Sequence, residues 1–217
     1  MPADELIDVL DESGAVIGTK SRARVHQDGD WHGLIFVWSA WLEEGRSMMM
    51  LQRRARRADP FSAQVDALAG GHLLQGECPV EGAVRELEEE VGLQVTQSQL
   101  VELGTMRMER PDVDCRRVIE HLFLCPVALQ IDQLKTSDEV DGFAQVSIAD
   151  LADLIETRRD RVTAHLRDQE GTRVGDLSHH AVSAYPPTIL ETFRRSLAAI
   201  EHYLQHGETD PGLIEGN

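Results

Sequence analysis

The spacing of hydrophobic residues predicts strands through the first two-thirds of the chain. Runs rich in β-branched and aromatic residues, bounded by turn residues, are typical of strands. Two short strands around a glycine turn are predicted in ELIDVLD and ESGAVIG. Further strands are predicted at 32–42, 46–54 and 64–74, and in LVELGTMRM, RRVIEHLFLCPVAL and GFAQVS, the last of them. Strands interleaved with helices in this order favour a layered α/β domain.

Hydrophobic residues three and four positions apart predict helices in the later part of the chain. The segment SIADLADLIE begins a helix, and Ser147 with Asp150 forms its N-terminal cap signature. The segment TILETFRRSLAAIEHYLQHG predicts a longer helix, with a capping box of Thr188 and Glu191 and with Gly207 as its stop. An apolar stripe along this longer helix indicates that it packs on the domain.

The length of 217 residues suits one domain with an added terminal element. We expect N-terminal strands that extend the domain over 1–30, a core over 31–168 and a C-terminal part over 169–217. Within this last part, Gly171–Pro187 is predicted to be a loop. The last ten residues, beyond the longer helix, are predicted to be frayed.

The charge balance excludes two classes of partner. The chain has 38 acidic and 21 basic residues and a net charge of −17, whereas nucleic acid polymers and anionic membranes attract positive surfaces. The cysteines, Cys78, Cys115 and Cys125, lie too far apart for a disulfide framework or a zinc site, which favours a reducing cytoplasm. We expect no signal peptide, because the N-terminal segment MPADELIDVLDESG is acidic and has no apolar region. We expect no membrane span, because no apolar run approaches about 20 residues.

The segment RELEEEVGL, residues 85–93, places four glutamates at the end of a predicted helix that begins near CPVEG. Carboxylates are disfavoured there, because the helix dipole is negative at its C-terminus. Helical residues turn by about 100° each, so Glu86, Glu89 and Glu90 share one face and Glu88 points away. A solvated acidic face is one explanation. A bound divalent cation is the other, because hard cations such as Mg²⁺ prefer carboxylate oxygens.

Residues before the glutamates extend this helix into a longer pattern of fixed spacing. The pattern is Gly71, five residues, Glu77, seven residues, Arg85–Glu86–Leu87, one residue, Glu89–Glu90, one residue, and Gly92–Leu93. It resembles the Nudix box at every specified position, which a chain of average composition would match only rarely by chance.

The resemblance to Nudix hydrolases implies a fold, a reaction and a cofactor. The fold would be an α/β/α sandwich with a mixed β-sheet, to which the C-terminal helix is an addition. The reaction would cleave a diphosphate linkage in a nucleoside diphosphate derivative or a similar organic pyrophosphate, with Mg²⁺ or Mn²⁺. The resemblance assigns the metal to Glu86, Glu89, Glu90 and the carbonyl of Gly70, and structural roles to Gly71, Glu77, Arg85 and Gly92.

The catalytic base and the partner of Arg85 are less tightly specified. The base is one of the box acids Glu86, Glu89 and Glu90, or it is Glu139 in the loop TSDEVDGF, where Nudix enzymes often supply an extra acid. Glu139 is otherwise an ordinary loop acid. By the resemblance, Arg85 pairs with Glu77. An ion pair with Glu81 or Glu89 is the alternative. Cys78 stands where a helix cap prefers Ser or Thr, so we expect only a weak cap.

A basic cluster, QRRARR at 52–57, stands out in this acidic chain. Arginine binds phosphate through two parallel hydrogen bonds, so Arg53 and Arg54 are the candidate substrate-binding residues, with Arg56 and Arg57 in the same cluster. The alternative is a loop that only aids solubility.

Residues 5–155 resemble one branch of the family, isopentenyl-diphosphate isomerase and its Nudix relatives. The resemblance rests on the segments ELIDVLDESGAVIG, VHQDGDWHGLIFVW and GGHLLQGE, and the last two contain three histidines. His72 is expected to contact substrate, whereas His26 and His32 are either structural hydrogen-bonding groups or substrate contacts.

The isomerase needs a Cys and a Glu besides its metal. By the resemblance, these would fall at Gly70 and Phe123 of this chain, and neither residue can transfer a proton. Hydrolysis is therefore favoured, with an isomerase-like enzyme and a non-catalytic ligand sensor as alternatives. We expect a small organic diphosphate as the partner. The group attached to the diphosphate and the formation of a homodimer are left open.

Overall fold

The structure, a computed structural model, describes residues 5–56, 61–111, 113 and 117–215. Its strands follow the predicted segments closely up to residue 147. The strands are β1 (Leu6–Leu10), β2 (Val16–Ser21), β3 (His32–Glu43), β4 (Arg46–Arg54), β5 (Val65–Asp66), β6 (Ala69–His72), β7 (Val101–Glu109), β8 (Arg117–Cys125), β9 (Val140–Ser147), β10 (Arg161–Asp168) and β11 (Gly171–Ser178).

Nine of these strands form one mixed sheet, and β1 and β2 form a separate antiparallel pair. The main order is β11-β10-β9-β4-β3-β8-β7, in which only β3 and β8 run parallel among the described pairs. β3 and β4 pair through Ser39–Glu43 and then diverge. β6 pairs with the earlier part of β3, and β5 pairs with the end of β4. The gap between β3 and β4 positions the candidate site.

Helices cover both faces of the sheet. The helices are α1 (Arg22–Asp28), α2 (Pro79–Val91), α3 (Ile148–Ile155), α4 (Pro187–His206) and α5 (Gly212–Glu215). Short 3₁₀ turns lie at Gln97–Gln99, Ile131–Gln133 and His179–Ala181. One core layer packs α2 against the sheet, and a second joins the opposite face to α3 and α4. The predicted α/β/α sandwich with a mixed sheet and an added C-terminal helix is confirmed.

Two predictions after residue 155 are wrong. GFAQVS is not the last strand, because β10 and β11 follow it as an antiparallel pair at the sheet edge. The predicted loop Gly171–Pro187 therefore begins with a strand, Gly171–Ser178. Its two glycines and mostly exposed side chains give none of the hydrophobic alternation that marks a half-buried strand. Helix α1 also was not predicted.

The C-terminal part differs from prediction at both of its ends. α4 begins at Pro187 with Pro186 as its N-cap, so the predicted capping box of Thr188 and Glu191 is wrong. Proline suits the first helical position, since its missing N–H has no partner there anyway. The predicted stop at Gly207 is confirmed, with φ of 77°. The tail is not frayed through residue 215, because α5 buries Ile214 completely.

The Ser147 cap of α3 is confirmed, since its hydroxyl accepts a hydrogen bond from the Asp150 amide at 3.1 Å. The boundaries 1–30, 31–168 and 169–217 stay a prediction. Within the described part of the chain, no helix is both long enough and apolar enough to cross a bilayer.

Candidate active site

Helix α2 carries the predicted acidic face next to the gap in the sheet. Leu87 and Val91 are fully buried against the sheet, which fixes the rotation of the helix. Glu86 and Glu90 are therefore held inside the protein, at 1% and 7% exposure, whereas the side chain of Glu89 is 60% exposed. A solvated acidic face explains the exposed Glu89 but does not explain why Glu86 and Glu90 are buried.

Strands β4 and β6 hold Glu90 in place. Its Oε2 accepts hydrogen bonds from the Gly70 amide at 3.0 Å and from Gln52 Nε2 at 3.1 Å. Gly70 lies on β6 and Gln52 on β4, so the carboxylate joins the two strands that flank the gap. Both of these donors are uncharged. They orient Glu90 without neutralising its charge.

Glu86 fits closely against Gly71. A Cβ atom on residue 71 would lie 2.1 Å from Glu86 Oε1, so a side chain there would force the Glu86 carboxylate to move. The backbone φ of Gly71 is not in the left-handed region, so glycine is favoured here by the space it leaves for Glu86 and not by its backbone conformation. The other contact of Glu86 is a hydrogen bond from Arg85 Nη1 at 2.8 Å.

Burial shifts the acid–base equilibrium of both carboxyl groups. It raises the pKa of Glu86 to about 7, against the stabilising charge of Arg85, and repulsion from Glu89 and Glu139 adds to the rise. Burial also raises the pKa of Glu90 to about 8, with the charge of Glu86 as the next cause. Two buried acids with a common like-charge repulsion need a cation to ionise together near neutral pH.

Arg85 braces the loop before the helix, and its pairing with Glu77 is present. Arg85 Nε and Nη2 donate to the two carboxylate oxygens of Glu77 at 2.7 and 2.8 Å, and Nη2 also donates to the His72 carbonyl. Burial disfavours a charged Glu77, but the bonds from Arg85 and the Leu74 amide outweigh it and lower its pKa. The alternative partner Glu89 is a second contact, at 3.3 Å.

The ends of α2 are formed as the sequence indicates. Cys78 is the N-cap residue, and its amide donates weakly to Glu81 at 3.4 Å. Gly92 is the C-cap with φ of 68°, in the left-handed region that favours glycine. Its N–H bonds to the Glu88 carbonyl, and a Cβ there would also press on Lys135.

A cavity with a volume of about 780 cubic ångströms opens beside the buried acids. Gly70, Gly71 and Glu90 line it from the box side, and Glu139 faces them from the loop before β9. The charge of Glu139 acts on both Glu86 and Glu90. Glu139 therefore lies near Glu86 and Glu90, as the sequence predicted for an acid outside the box.

The two arginine candidates separate, because neighbouring residues of a strand point to opposite faces. Arg54 lies on the same side of β4 as Gln52 and lines the cavity. Arg53 points away from the cavity lining and forms an ion pair with Asp141, at 2.5 Å from Nε to Oδ1. Of the two arginines predicted from sequence, Arg54 lines the cavity and Arg53 does not, and substrate binding by either stays a prediction. Arg57 lies outside the described residues.

Comparison with known proteins agrees with this geometry. The sequence model of the NUDIX domain matches residues 8–166, well over half of the chain. The chain belongs to the Nudix family. By this membership and by its hydrolase relatives, it is an enzyme of the Nudix pyrophosphohydrolase class.

Relatives of this Nudix chain include both reaction types of the branch. An uncharacterised Nudix hydrolase of Clostridium acetobutylicum is 30% identical over 176 residues, which cover 78% of this chain and 84% of that protein. An isopentenyl-diphosphate Δ-isomerase of Streptomyces avermitilis is 32% identical over 152 residues, 68% of this chain and 74% of the isomerase. A crystal structure from Deinococcus radiodurans shares the fold at TM-score 0.54 and 15% identity, and covers 84% of this chain and all of the other.

The two positions expected for isomerase chemistry do not supply it. A Cβ on residue 70 would lie 2.8 Å from the backbone oxygen of Ile35, so β6 has no room for a cysteine here without a shift of the strand. Phe123 is 2% exposed and packs beneath α2, away from the cavity. Both observations agree with hydrolysis in this Nudix protein.

Three histidines cluster beside the cavity, and two of them, His26 and His72, line it. His26 on α1, His32 on β3 and His72 on β6 have ring nitrogens within 4.8 Å of one another. His32 Nδ1 lies 3.0 Å from the Asp30 carbonyl and donates to it, which leaves Nε2 as an acceptor. Burial lowers the pKa of His32 to about 4 and that of His72 well below its ordinary value. Neutral imidazoles at such spacing are suitable ligands for a transition metal. Sequence reasoning treated them separately.

Sequence reasoning missed a buried polar network across the cavity from α2. Asp66 accepts hydrogen bonds from the Tyr185 hydroxyl at 2.9 Å and from the Ala67 amide. Arg110 is ion-paired with Glu120, and Thr192 of α4 is bonded to both. Their separations along the chain, such as 119 residues between Asp66 and Tyr185, carry no local signal. Burial is the first cause of the raised pKa of both Asp66 and Glu120.

Proposed function

We propose that this Nudix protein hydrolyses the diphosphate linkage of a nucleoside diphosphate derivative or a similar organic pyrophosphate, with Mg²⁺ or Mn²⁺. The observation that carries the proposal is the buried pair of Glu86 and Glu90 beside a cavity that also holds Arg54. Two buried carboxylates repel one another, so both can be ionised only when a bound cation neutralises their charge; otherwise at least one of them takes up a proton. Such a pair of carboxylates supplies the oxygen ligands with which an enzyme can hold a cation next to a diphosphate.

The residues fit a hard cation. Carboxylate and carbonyl oxygens are the ligands that Mg²⁺ and Mn²⁺ prefer, and Glu86, Glu89, Glu90 and the Gly70 carbonyl would supply them. When bound, the cation neutralises phosphate oxygens and acidifies a coordinated water. The brace of Arg85 and Glu77 fixes the loop between β6 and α2, so Gly70 and the glutamates keep their relative positions.

Substrate binding falls to the cavity side of β4 and β6. Arg54 is positioned to pair with phosphate oxygens and is held near Asp66, with Nη1 at 3.6 Å from Oδ2. His72 lines the same cavity, and as a neutral imidazole it can share a hydrogen bond with the substrate without adding charge.

The proton of the attacking water passes to a carboxylate as oxygen attacks phosphorus and the anhydride P–O bond breaks. Glu139 is the candidate base outside the box, because it lines the cavity opposite Glu90. Glu86, Glu89 and Glu90 are the other candidates. We expect the reaction in the cytoplasm, without nucleic acid or membrane partners.

Isomerisation is the second candidate, favoured by the isomerase relatives. It is the weaker one, because Gly70 has no side chain and Phe123 lies in the core. A ligand sensor without catalysis would have no need for the complete set of box acids.

A hydrolysis panel tests the proposal. Purified protein is incubated with nucleotide sugars, dinucleotides, oxidised nucleoside triphosphates, coenzyme A and thiamine diphosphate, each with and without Mg²⁺ or Mn²⁺. We expect metal-dependent cleavage of at least one compound, abolished in Glu90→Gln and retained in Glu88→Gln, whose residue is exposed on the opposite face. Metal-independent cleavage, or none with any compound, would contradict the proposal.

A further inference from the structure

A tyrosine that follows the matched family region reaches the cavity. The family match ends at residue 166, and Tyr185 lies between β11 and α4. Its ring is 5% exposed and packs 5.1 Å from the ring of Phe61 and 5.4 Å from that of Phe193. The ring therefore belongs to the core, and the polar end of the side chain is its hydroxyl.

The Tyr185 hydroxyl holds the carboxylate of Asp66. It donates to Asp66 Oδ2 at 2.9 Å, and the amide of Ala67 donates to Oδ1 at 2.8 Å. Each carboxylate oxygen thus has a donor, and the two hydrogen bonds together fix the rotation of the group. Burial raises the pKa of Asp66, and the charge of Arg54 and these two hydrogen bonds act against that rise. They therefore favour the ionised carboxylate.

The same carboxylate oxygen faces Arg54. Nη1 of Arg54 lies 3.6 Å from Asp66 Oδ2. The strand pairing explains this position: Asp66 of β5 lies opposite Gln52 of β4, and residues two apart on a strand point to the same face. A guanidinium has five N–H groups, so an ion pair with one carboxylate does not exhaust its capacity to bind phosphate.

A fixed carboxylate can raise the affinity of Arg54 for an anion. A long side chain loses conformational freedom when it binds, and this loss weakens binding. The Arg54 side chain is 36% exposed, so the walls of the protein alone do not fix it. An ion pair with an immobile partner restricts the side chain before the substrate arrives. Without the Tyr185 hydroxyl, Asp66 could rotate and this restriction would weaken.

The position of Tyr185 is itself fixed from two sides. The amide of Ala184 donates to Gln64 Oε1 at 3.0 Å, next to β5. On the other side, Thr192 of α4 donates to the buried Glu120 at 2.8 Å, which holds the helix on the sheet. The hydroxyl is therefore placed by the packing of the C-terminal part of the chain.

We propose that Tyr185 is a positioning residue for substrate binding, whose hydroxyl acts through Asp66 to hold Arg54 in the orientation that receives the phosphate groups. The inference rests on the proposed function for the role of Arg54. It makes the part of the chain after residue 166 necessary for full substrate affinity, although the box lies entirely before it.

A double-mutant cycle tests the inference without catalysis. Calorimetry with Mg²⁺ measures the affinity for methylenediphosphonate, in which carbon replaces the bridging oxygen of a diphosphate. Tyr185→Phe, which keeps the ring, should weaken binding about threefold or more, the size of one hydrogen bond. In the Arg54→Ala background the same change should alter the affinity by less than about twofold, because no guanidinium is left to position.

Tyr203→Phe is the matched control. It removes the same hydroxyl from a residue of α4 that lies outside the cavity lining, and it should leave the affinity unchanged. Melting curves show whether each variant folds. If Tyr185→Phe does not fold, Gln64→Met replaces it in the cycle, since it removes the contact with Ala184 and should act in the same direction.

The outcomes separate this inference from the hydrolase proposal. Parental affinity in Tyr185→Phe, or an equal loss with and without Arg54, overturns the positioning role even if the substrate panel reveals hydrolysis. Parental affinity in Arg54→Ala overturns it as well, because Arg54 then binds no phosphate. A loss that depends on Arg54, together with no turnover of any panel compound, supports the positioning role and contradicts the hydrolase.

Discussion

The Glu86 carboxylate occupies the space that a side chain on residue 71 would need, with only 2.1 Å from Oε1 to the position of a Cβ. Gly71→Ala should therefore push Glu86 out of place and weaken Mg²⁺ binding by about tenfold or more, as expected for a displaced ligand. Calorimetric titration with Mg²⁺ measures this. Gly18→Ala is the matched control, because a Cβ there meets nothing within 4 Å. Equal Mg²⁺ affinity in both variants would contradict the steric argument.

Glu90→Gln should lower hydrolysis by more than about 100-fold, since even changes around a metal ligand typically cost 10- to 100-fold. At pH 8.5 without metal its stability should be equal or higher, because above the Glu90 pKa of about 8 the amide removes a buried charge that Glu86 repels. Steady-state rates and thermal melting check the two effects. A Glu90→Gln protein with parental turnover would remove the metal-site argument.

The pH dependence of stability should reverse when metal is added. The folded pKa values of Glu86 and Glu90, about 7 and about 8, lie above the ordinary value of 4.5. The folded state then binds more protons than the unfolded state, so without metal the free energy of unfolding falls as pH rises toward 8. Mg²⁺ requires ionised carboxylates and should release protons and raise the melting temperature more at pH 8.5 than at pH 6.5.

Melting curves from pH 6.5 to 8.5, with EDTA or with Mg²⁺, measure this reversal. The window avoids His32, whose pKa is lowered from 6.5 to about 4 and whose effect has the opposite sign below pH 6.5. In Glu90→Gln the fall without metal should be smaller. A fall of the same size in that variant would show that Glu90 does not titrate in this range.

We expect Arg54 to contribute to substrate binding and Arg53 to contribute to the stability of the fold. Arg54→Ala should raise KM about tenfold or more, as expected from the loss of a charged hydrogen bond worth roughly 1.5–3 kcal/mol. Arg53→Ala should leave KM unchanged and lower the melting temperature, because it breaks the ion pair with Asp141. Michaelis–Menten kinetics measure KM, and melting curves measure the melting temperature, of both variants. A larger rise of KM in Arg53→Ala than in Arg54→Ala would show that Arg53 is the main substrate contact and contradict the division.

Isopentenyl diphosphate should not be isomerised. Proton transfer to and from carbon needs two groups on opposite faces of an alkene, and Gly70 and Phe123 supply neither. The test follows the dimethylallyl isomer and released phosphate in the presence of Mg²⁺. Isomer formed at enzyme-like turnover would overturn the hydrolase assignment and direct attention to Cys78, which is exposed, and Cys125, which is buried.

The spacing of the box was enough to predict α2 and the acids that it carries, because helix geometry converts spacing directly into a shared face. The same alternation rule applied to β4 would have separated Arg53 from Arg54, whose side chains point to opposite faces of the strand. Tyr185 could not be found this way. It reaches Asp66 across 119 residues, from a segment that was predicted to be a loop. Contacts of that kind depend on how layers pack, which no local pattern encodes.

Helix α4 packs in the core through its middle and lines the cavity through its first turn. Thr192 donates to Glu120 at 2.8 Å and Phe193 meets the edge of Trp38 at 5.1 Å, so its middle is anchored in the sheet core. Its first turn and the residues before it line the cavity beside Glu90, through Pro186, Ile189 and Ser183. Substitutions at Ser183 and Ala184 can therefore reshape the cavity lining while the anchor keeps the helix in place. The two functions of the helix, closing the cavity and filling the core, are thus carried by different residues, and a change in one leaves the other intact.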